Sequence, residues 1–311
     1  MSRTSRSQRT HEWVALTLPE SMADFRRRGF RTDRYETREV LEQHARSFLG
    51  GFNEAATGWR DVHERLAEFP ADERGFAYEG AAMHARFRDV VRLGRGGAVD
   101  HLLRGPGAGY PHLVRVGTGW WRGMGRLGVR PARGGGLLRW LSEDGAGFAE
   151  AFFGGARAIG KRCAGPPSAR WLARVAGHGR ALWFVESGDV EALHRFVAAR
   201  PPAARGPLWS GIGLACAYAG GVDDAARRAV VEASGPHLGD LRQGVAFAVA
   251  ARHRAGVVPE HTGAAAWQVC GAGPDEVSGW TDVAARGLEA REDIGAYLTW
   301  KSRLRELPQD R

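Results

Sequence analysis

Lysine is nearly missing from this chain: Lys161 and Lys301 are the only two among 44 basic residues, and the others are arginine. In a chain that also holds 44 glycines, this bias looks like GC-rich codon usage rather than a phosphate-binding design, and it weakens any argument from the formal net charge of +9. The densest basic run, Arg26-Arg27-Arg28 with Arg31 and Arg34, is flanked by Asp24 and Asp33. No basic residues interleave with aromatics as on an RNA-binding sheet, so no nucleic-acid partner is expected. Cysteine is scarce as well. Cys163, Cys216 and Cys270 are odd in number and far apart, with no CxxC pair, which argues for reduced structural thiols rather than a disulfide framework. Apolar runs stay well below the ~18–20 residues that a membrane span needs. The arginines of MSRTSRSQRTHEW are followed by no apolar stretch of the kind that marks a secretory signal. No transmembrane segment is therefore expected, and the chain reads as cytoplasmic. HExxH and GxSxG are missing too, so neither a metal nor another cofactor is expected.

What is present points to helices. The chain has 311 residues, 43% hydrophobic and 25% charged, enough to bury one large core or two ordinary ones. VLEQHARSFLGGFNEAA (40–56) sets Val40, Leu41, Ala45, Phe48 and Phe52 at helical spacing. RGFAYEGAAMHARFRDVV (74–91) reads as the next helix. Residues 94–136 form a Gly-rich middle, and Pro166-Pro167 suggests a linker. The expected organisation is a basic, flexible leader at 1–12, a mostly helical region at 13–165, and a repeat region at 168–311 that continues from it.

The repeat rests on three hairpin-like units. GRALWFVESG with DVEALHRFVAAR, LWSGIGLACAYAGG with VDDAARRAVVEAS, and LRQGVAFAVAARHRAG with VPEHTGAAAWQVC each read as helix, glycine turn, helix. Gly188, Gly221 and Gly256 fall in the turns, at the spacing of helical-hairpin solenoids. The fold class is thus all-α, a helical-hairpin or α-solenoid-like half packed on an N-terminal helical region. Gly211, Ala215 and Ala219, echoed by Gly244 and Ala248, make a small-residue stripe that lets helix axes approach closely.

Three motifs imitate functional ones. GARAIGKR (155–162) follows the phosphate-loop pattern until Arg162 takes the place of the magnesium-binding hydroxyl. GTGWWRG (117–123) brings its third glycine one residue late for a dinucleotide turn. The acidic pair in VDDAARR suits a helix start. More telling are polar residues inside apolar helices: Glu79, Asp144 ahead of an expected turn at Gly145, Arg180, Gln243, Arg252 and, after Pro259, His261. One reading has Glu79 meeting an arginine and fixing helix packing. The other makes Glu79, Asp144 and His261 acid/base groups of a pocket lined by Trp120, Trp183 and Trp209, with Arg180, Gln243 and Arg252 as polar anchors.

The same stretches, RGFAYEGAAM (74–83), WLSEDGAGFAEAFF (140–153), GRALWFVESG (179–188), LWSGIGLACAYAGG (208–221) and LRQGVAFAVAARHRAGVVPEHT (241–262), resemble a bacterial family named domain of unknown function 1702. RRRGFRTDR (26–34), followed by FLGGFNEAATG, resembles that family's opening. The resemblance implies a place beside enediyne-type polyketide synthases and in other natural-product gene clusters, as an accessory factor acting on a linear polyene. It also implies that Glu79, Asp144, Arg180, Gln243, Arg252, His261 and Thr262 are the family's characteristic polar positions, with Trp183 and Trp209 among its aromatics. GWWRGMGRLGVRPARGGG departs from the family by being short and rich in Gly and Arg. Two functions are weighed. In the first, a hydrophobic polyketide-type molecule is bound and cyclised or isomerised by proton transfer. In the second, the chain is a non-catalytic scaffold or carrier for other proteins of the same pathway.

Overall fold

The computed structural model describes residues 16–92, 97–125 and 134–307, and no β-strand occurs among them. The expected leader at 1–12 and part of the Gly-rich middle lie outside the described residues. A short helix, α1 (Phe25–Arg28), precedes α2 (Tyr35–Thr57), α3 (Val62–Ala67), α4 (Arg74–Val91), α5 (Ala98–Leu102), α6 (Pro111–Gly117) and α7 (Trp120–Gly123). The long α8 (Leu141–Cys163) follows, kinked at Gly155. Then come α9 (Ala169–Val185), α10 (Val190–Ala198), α11 (Pro202–Tyr218), α12 (Asp224–Ser234), α13 (Leu238–Arg254), α14 (Glu260–Ala265), α15 (Pro274–Ala285) and α16 (Ile294–Glu306).

The three expected hairpins are α9–α10, α11–α12 and α13–α14. Gly188, Gly221 and Gly256 adopt the left-handed conformation in their turns. Asp189 and Asp223 cap α10 and α12 by accepting from the Ala192 and Ala226 amides at 2.9 and 2.8 Å, so the acidic pair in VDDAARR is a helix start. The two nucleotide-like motifs are helical: GTGWWRG runs through α6 and α7, and GARAIGKR is the last part of α8. Gly145, expected in a turn, lies inside α8. It is there because the backbone of α6 passes so close that a Cβ would strike the Val116 carbonyl.

That contact is one of a series. Packing runs from α2 to α4, to α6 and α7, to α8, α9, α11 and α13. Six of these segments carry a small-x-small triplet: Gly80-x-Ala82, Gly117-x-Gly119, Gly145-x-Gly147, Gly177-x-Gly179, Gly211-x-Gly213 and Gly244-x-Ala246. At ~100° per residue, positions two apart lie on nearly opposite flanks of a helix. A helix with a neighbour on each side needs its small residues there. A Cβ on Gly177 would strike the Asp144 carbonyl of α8, and one on Gly179 the Leu208 carbonyl of α11. Gly211 and Gly213 stand in the same way against Ala176 of α9 and Leu241 of α13. The first small residue of each triplet meets the preceding helix, and the second, where it is glycine, meets the following one. Such backbone-to-backbone contact adds dispersion and Cα–H···O attraction along each interface.

The triplet also sets which face looks inward. The third residue after the first glycine lies between the two flanks, ~60° from that glycine. Those residues are Met83, Trp120, Phe148, Arg180, Leu214 and Phe247, and all six line one internal cavity. The row of helices curls around it. His44 of α2 hydrogen-bonds the Ala219 carbonyl just past α11, Phe76 of α4 packs its ring 5.2 Å from that of Tyr218, and α13 touches α6. The expected small-residue stripe is thus split in function. Gly211 serves helix contact, whereas Ala215, Ala219 and Ala248 are cavity wall.

Candidate functional site: an aromatic cavity with a buried acid pair

The cavity within these walls has a volume of about 80 Å³. Its surface is overwhelmingly apolar, built from phenylalanines of α2, α4, α8, α9 and α13 together with leucines and methionines.

A cluster of charged groups sits in this oily wall. Glu79 of α4 is 2% exposed and accepts hydrogen bonds from Trp120 Nε1 at 2.9 Å and from Arg180 Nη1 at 3.4 Å. Arg180 Nη2 forms an ion pair with Asp144 Oδ1 of α8 at 2.9 Å. The guanidinium carbon lies 4.2 Å from the centre of the Phe148 ring, and Trp120 stacks on Phe48 at 4.1 Å. Two carboxyls thus share one guanidinium in a dry setting. Burial pushes the Glu79 carboxyl above its ordinary range, with the charge of Arg180 and the Trp120 hydrogen bond opposing. Arg180 is held cationic: burial acts against its charge, but Asp144 and then Glu79 outweigh it. If both acids ionised, the cluster would carry a net negative charge in a medium of low dielectric. One proton on Glu79 would remove that charge.

Four of the residues singled out in the sequence, Glu79, Asp144, Arg180 and Trp120, therefore meet at the cavity. The others do not line it. The carbonyls of residues 217–220, where α11 ends, each receive a side-chain donor. Thr262 Oγ1 donates to Ala217 at 2.7 Å and Arg252 Nη2 to Tyr218 at 2.6 Å, His44 Nε2 reaches Ala219 at 2.9 Å, and Trp183 Nε1 donates to Gly220 at 3.1 Å. His261 Nε2 lies 3.3 Å from the Tyr218 carbonyl. Trp183, Arg252, His261 and Thr262 thus terminate α11 by satisfying carbonyls that a helix leaves unpaired. Gln243 accepts from Ser210 Oγ at 2.7 Å, and Lys301 Nζ reaches the same hydroxyl at 3.1 Å, knitting α13, α11 and α16 together. Trp209 is buried in α11 away from the cavity lining.

Sequence reasoning missed Tyr218, whose buried hydroxyl stands against Gly75 and has no hydrogen-bond partner among the described residues. It also missed the His44–Glu73 pair at 2.6 Å, where His44 stacks on Phe76 at 4.3 Å. Burial opposes the Glu73 charge, but the hydrogen bond and charge of His44, with Ser47 and Arg252 behind them, hold it below the ordinary carboxylate range. The triplet register could have found Tyr218, since it falls seven residues after Gly211 just as Phe184 falls seven after Gly177.

Buried histidines are expected to make the protein sensitive to acid. Burial lowers His84, His112 and His261 to about 4, so each is neutral when folded and gains a proton more readily when unfolded. A group whose folded pKa is depressed withdraws stability as pH falls from its unfolded value, 6.5, towards its folded one. Urea midpoints are expected to drop steadily from pH 7 to pH 4, and His261→Asn, which keeps a donor but cannot charge, is expected to flatten part of that slope. An unchanged slope would place the acid sensitivity elsewhere.

Structurally, then, this is an all-α protein whose helix row wraps an apolar cavity with an acid–guanidinium cluster in its wall. No helix among the described residues is long and apolar enough to cross a membrane. A family model described as Protein of unknown function (DUF1702) matches residues 9–307, and the chain belongs to that family. No curated protein and no solved structure matches it.

Proposed function

We propose that the protein binds a hydrophobic molecule of the polyene or polyketide type and assists its cyclisation or isomerisation by proton transfer. It would act as an accessory factor of natural-product biosynthesis of the enediyne-like kind. The observation that carries this reading is the placement of Glu79: a carboxyl fixed by Trp120 and Arg180 in the wall of an aromatic cavity, its pKa pushed upward by burial. Trp120 and the phenylalanine rings present π faces to a conjugated chain and to any positive charge that develops along it. Glu79 serves as general acid, and Asp144 keeps Arg180 in place and sets the charge that calls for the proton. A helical scaffold or a simple carrier needs no buried acid at such a wall.

The test is a strain whose product depends on this gene. Glu79→Gln preserves shape and hydrogen bonding but cannot deliver a proton. Product is expected to fall at least ~100-fold, in line with the usual contribution of a general acid, while the purified variant keeps its fold and binds a linear polyene as before. Full production by the variant would remove proton transfer and leave a carrier.

A further inference from the structure

We propose that the molecule held in this cavity is an anionic amphiphile, a hydrophobic chain ending in a carboxylate, and that Arg28 receives the carboxylate at the mouth. The inference rests on the cavity reading above and adds the head group and the direction of entry.

Burial shows where the cavity wall reaches the surface. Among the lining residues, Leu18, Met22, Arg28, Ala45, His112, Phe153 and Leu214 are only partly buried, and of these Met22 and Phe153 both contact Arg28 and form one opening with it. Arg28 Nε donates to the Met22 carbonyl at 2.8 Å, and its guanidinium carbon stands 4.9 and 4.7 Å from the ring centres of Phe152 and Phe153. The group is thus held rather than loose. Asp24 caps α1 through the Arg27 amide and pairs with Arg27, and Gly29 closes the helix in the left-handed conformation. That turn aims Arg28 into the cavity.

Charge at the two ends of the cavity is unequal. Inside, Glu79 and Asp144 face the single guanidinium of Arg180, and His44 is matched by Glu73. An anion there would compete with Asp144 and Glu79, which already share the Arg180 guanidinium. Arg28 differs: no carboxylate among the described residues pairs with it, and burial lowers its pKa without an opposing acid. A half-buried cation on aromatic faces, with its two terminal nitrogens left to donate, matches a carboxylate in bidentate geometry. The field therefore orients the ligand, with its hydrocarbon end towards Glu79 and its anionic end at Arg28.

cis-Parinaric acid, a linear tetraene carboxylate whose fluorescence rises in apolar surroundings, tests this directly against parinaryl alcohol. Both are titrated at pH 8 into the full chain and into Arg28→Gln. The acid is expected to bind the unmodified protein at least ~10-fold more tightly than the alcohol, the difference a charge-assisted hydrogen-bonded pair supplies. In Arg28→Gln that preference is expected to vanish while alcohol affinity stays the same, which also reports that the variant is folded. Equal affinities in the unmodified protein would overturn the head-group assignment and leave the cavity reading standing. Binding of neither probe would overturn both.

Discussion

Gly211→Ala is expected to destabilise the protein by about 3 kcal/mol, an unusually large effect for adding one methyl group. A Cβ there collides with the Ala176 carbonyl and crowds the Arg180 amide. These are backbone atoms of α9, which can retreat only if the whole interface opens. The opposite outcome is expected at Gly279, which lies within α15 and would place a Cβ against nothing within 4 Å. There alanine removes backbone freedom from the unfolded chain and improves helix propensity, so a gain of about 0.5–1 kcal/mol is expected. Urea unfolding of the two variants beside the parent measures both effects as shifts in midpoint at constant slope. A Gly211→Ala midpoint within error of the parent would mean that the helix row tolerates separation. The close approach would then not be what sets the cavity's width.

The same triplets explain which parts of the molecule could be read from its sequence. The hairpin turns at Gly188, Gly221 and Gly256 were legible because a left-handed turn between two helical patterns leaves a glycine at a regular interval. The all-α class was legible from periodicity. Gly145 misled because a glycine near acidic residues looks the same whether it makes a turn or admits a neighbouring backbone. Only the position of α6 against α8 separates the two cases.

The site was half legible for a related reason. A polar residue inside an apolar helix is conspicuous in sequence, so Glu79, Asp144, Arg180, Arg252 and Gln243 all stood out. Sequence does not say whether such a residue faces a cavity or the end of another helix. Arg252 and His261 meet the end of α11, more than thirty residues away along the chain, and that contact comes from the curl of the row rather than from local pattern. Arg28 was visible only as one arginine in a basic run. Its neighbours Arg26 and Arg27 are exposed, and what sets it apart is its contact with Phe152 and Phe153.

Arg180→Met is expected to be the more damaging change to the cavity, with a loss of about 3–5 kcal/mol at neutral pH, the range for breaking a buried ion pair from one side. Methionine fills most of the volume but leaves Glu79 and Asp144 buried without their shared cation. The deficit should depend on pH in a definite sense. Burial already raises the Glu79 pKa in the fold, and the charge of Arg180 is the largest influence opposing that rise. Without it the folded-state pKa climbs further, so folding favours the protonated acid more strongly. Stability from that preference is fully present below the unfolded carboxyl value, ~4.3, and is lost as pH rises through the folded value. Arg180→Met should therefore sit closer to the parent at pH 5 than at pH 8. Adding Glu79→Gln should restore much of the loss at pH 8, because the cost of burying or protonating the Glu79 carboxyl is gone, and the two changes should be strongly non-additive. Denaturant titrations of the four proteins at both pH values decide it. Equal deficits at pH 5 and pH 8, with simple additivity, would mean that Arg180 acts through packing against Phe148 alone, and the shared-proton account of Glu79 would fall with it.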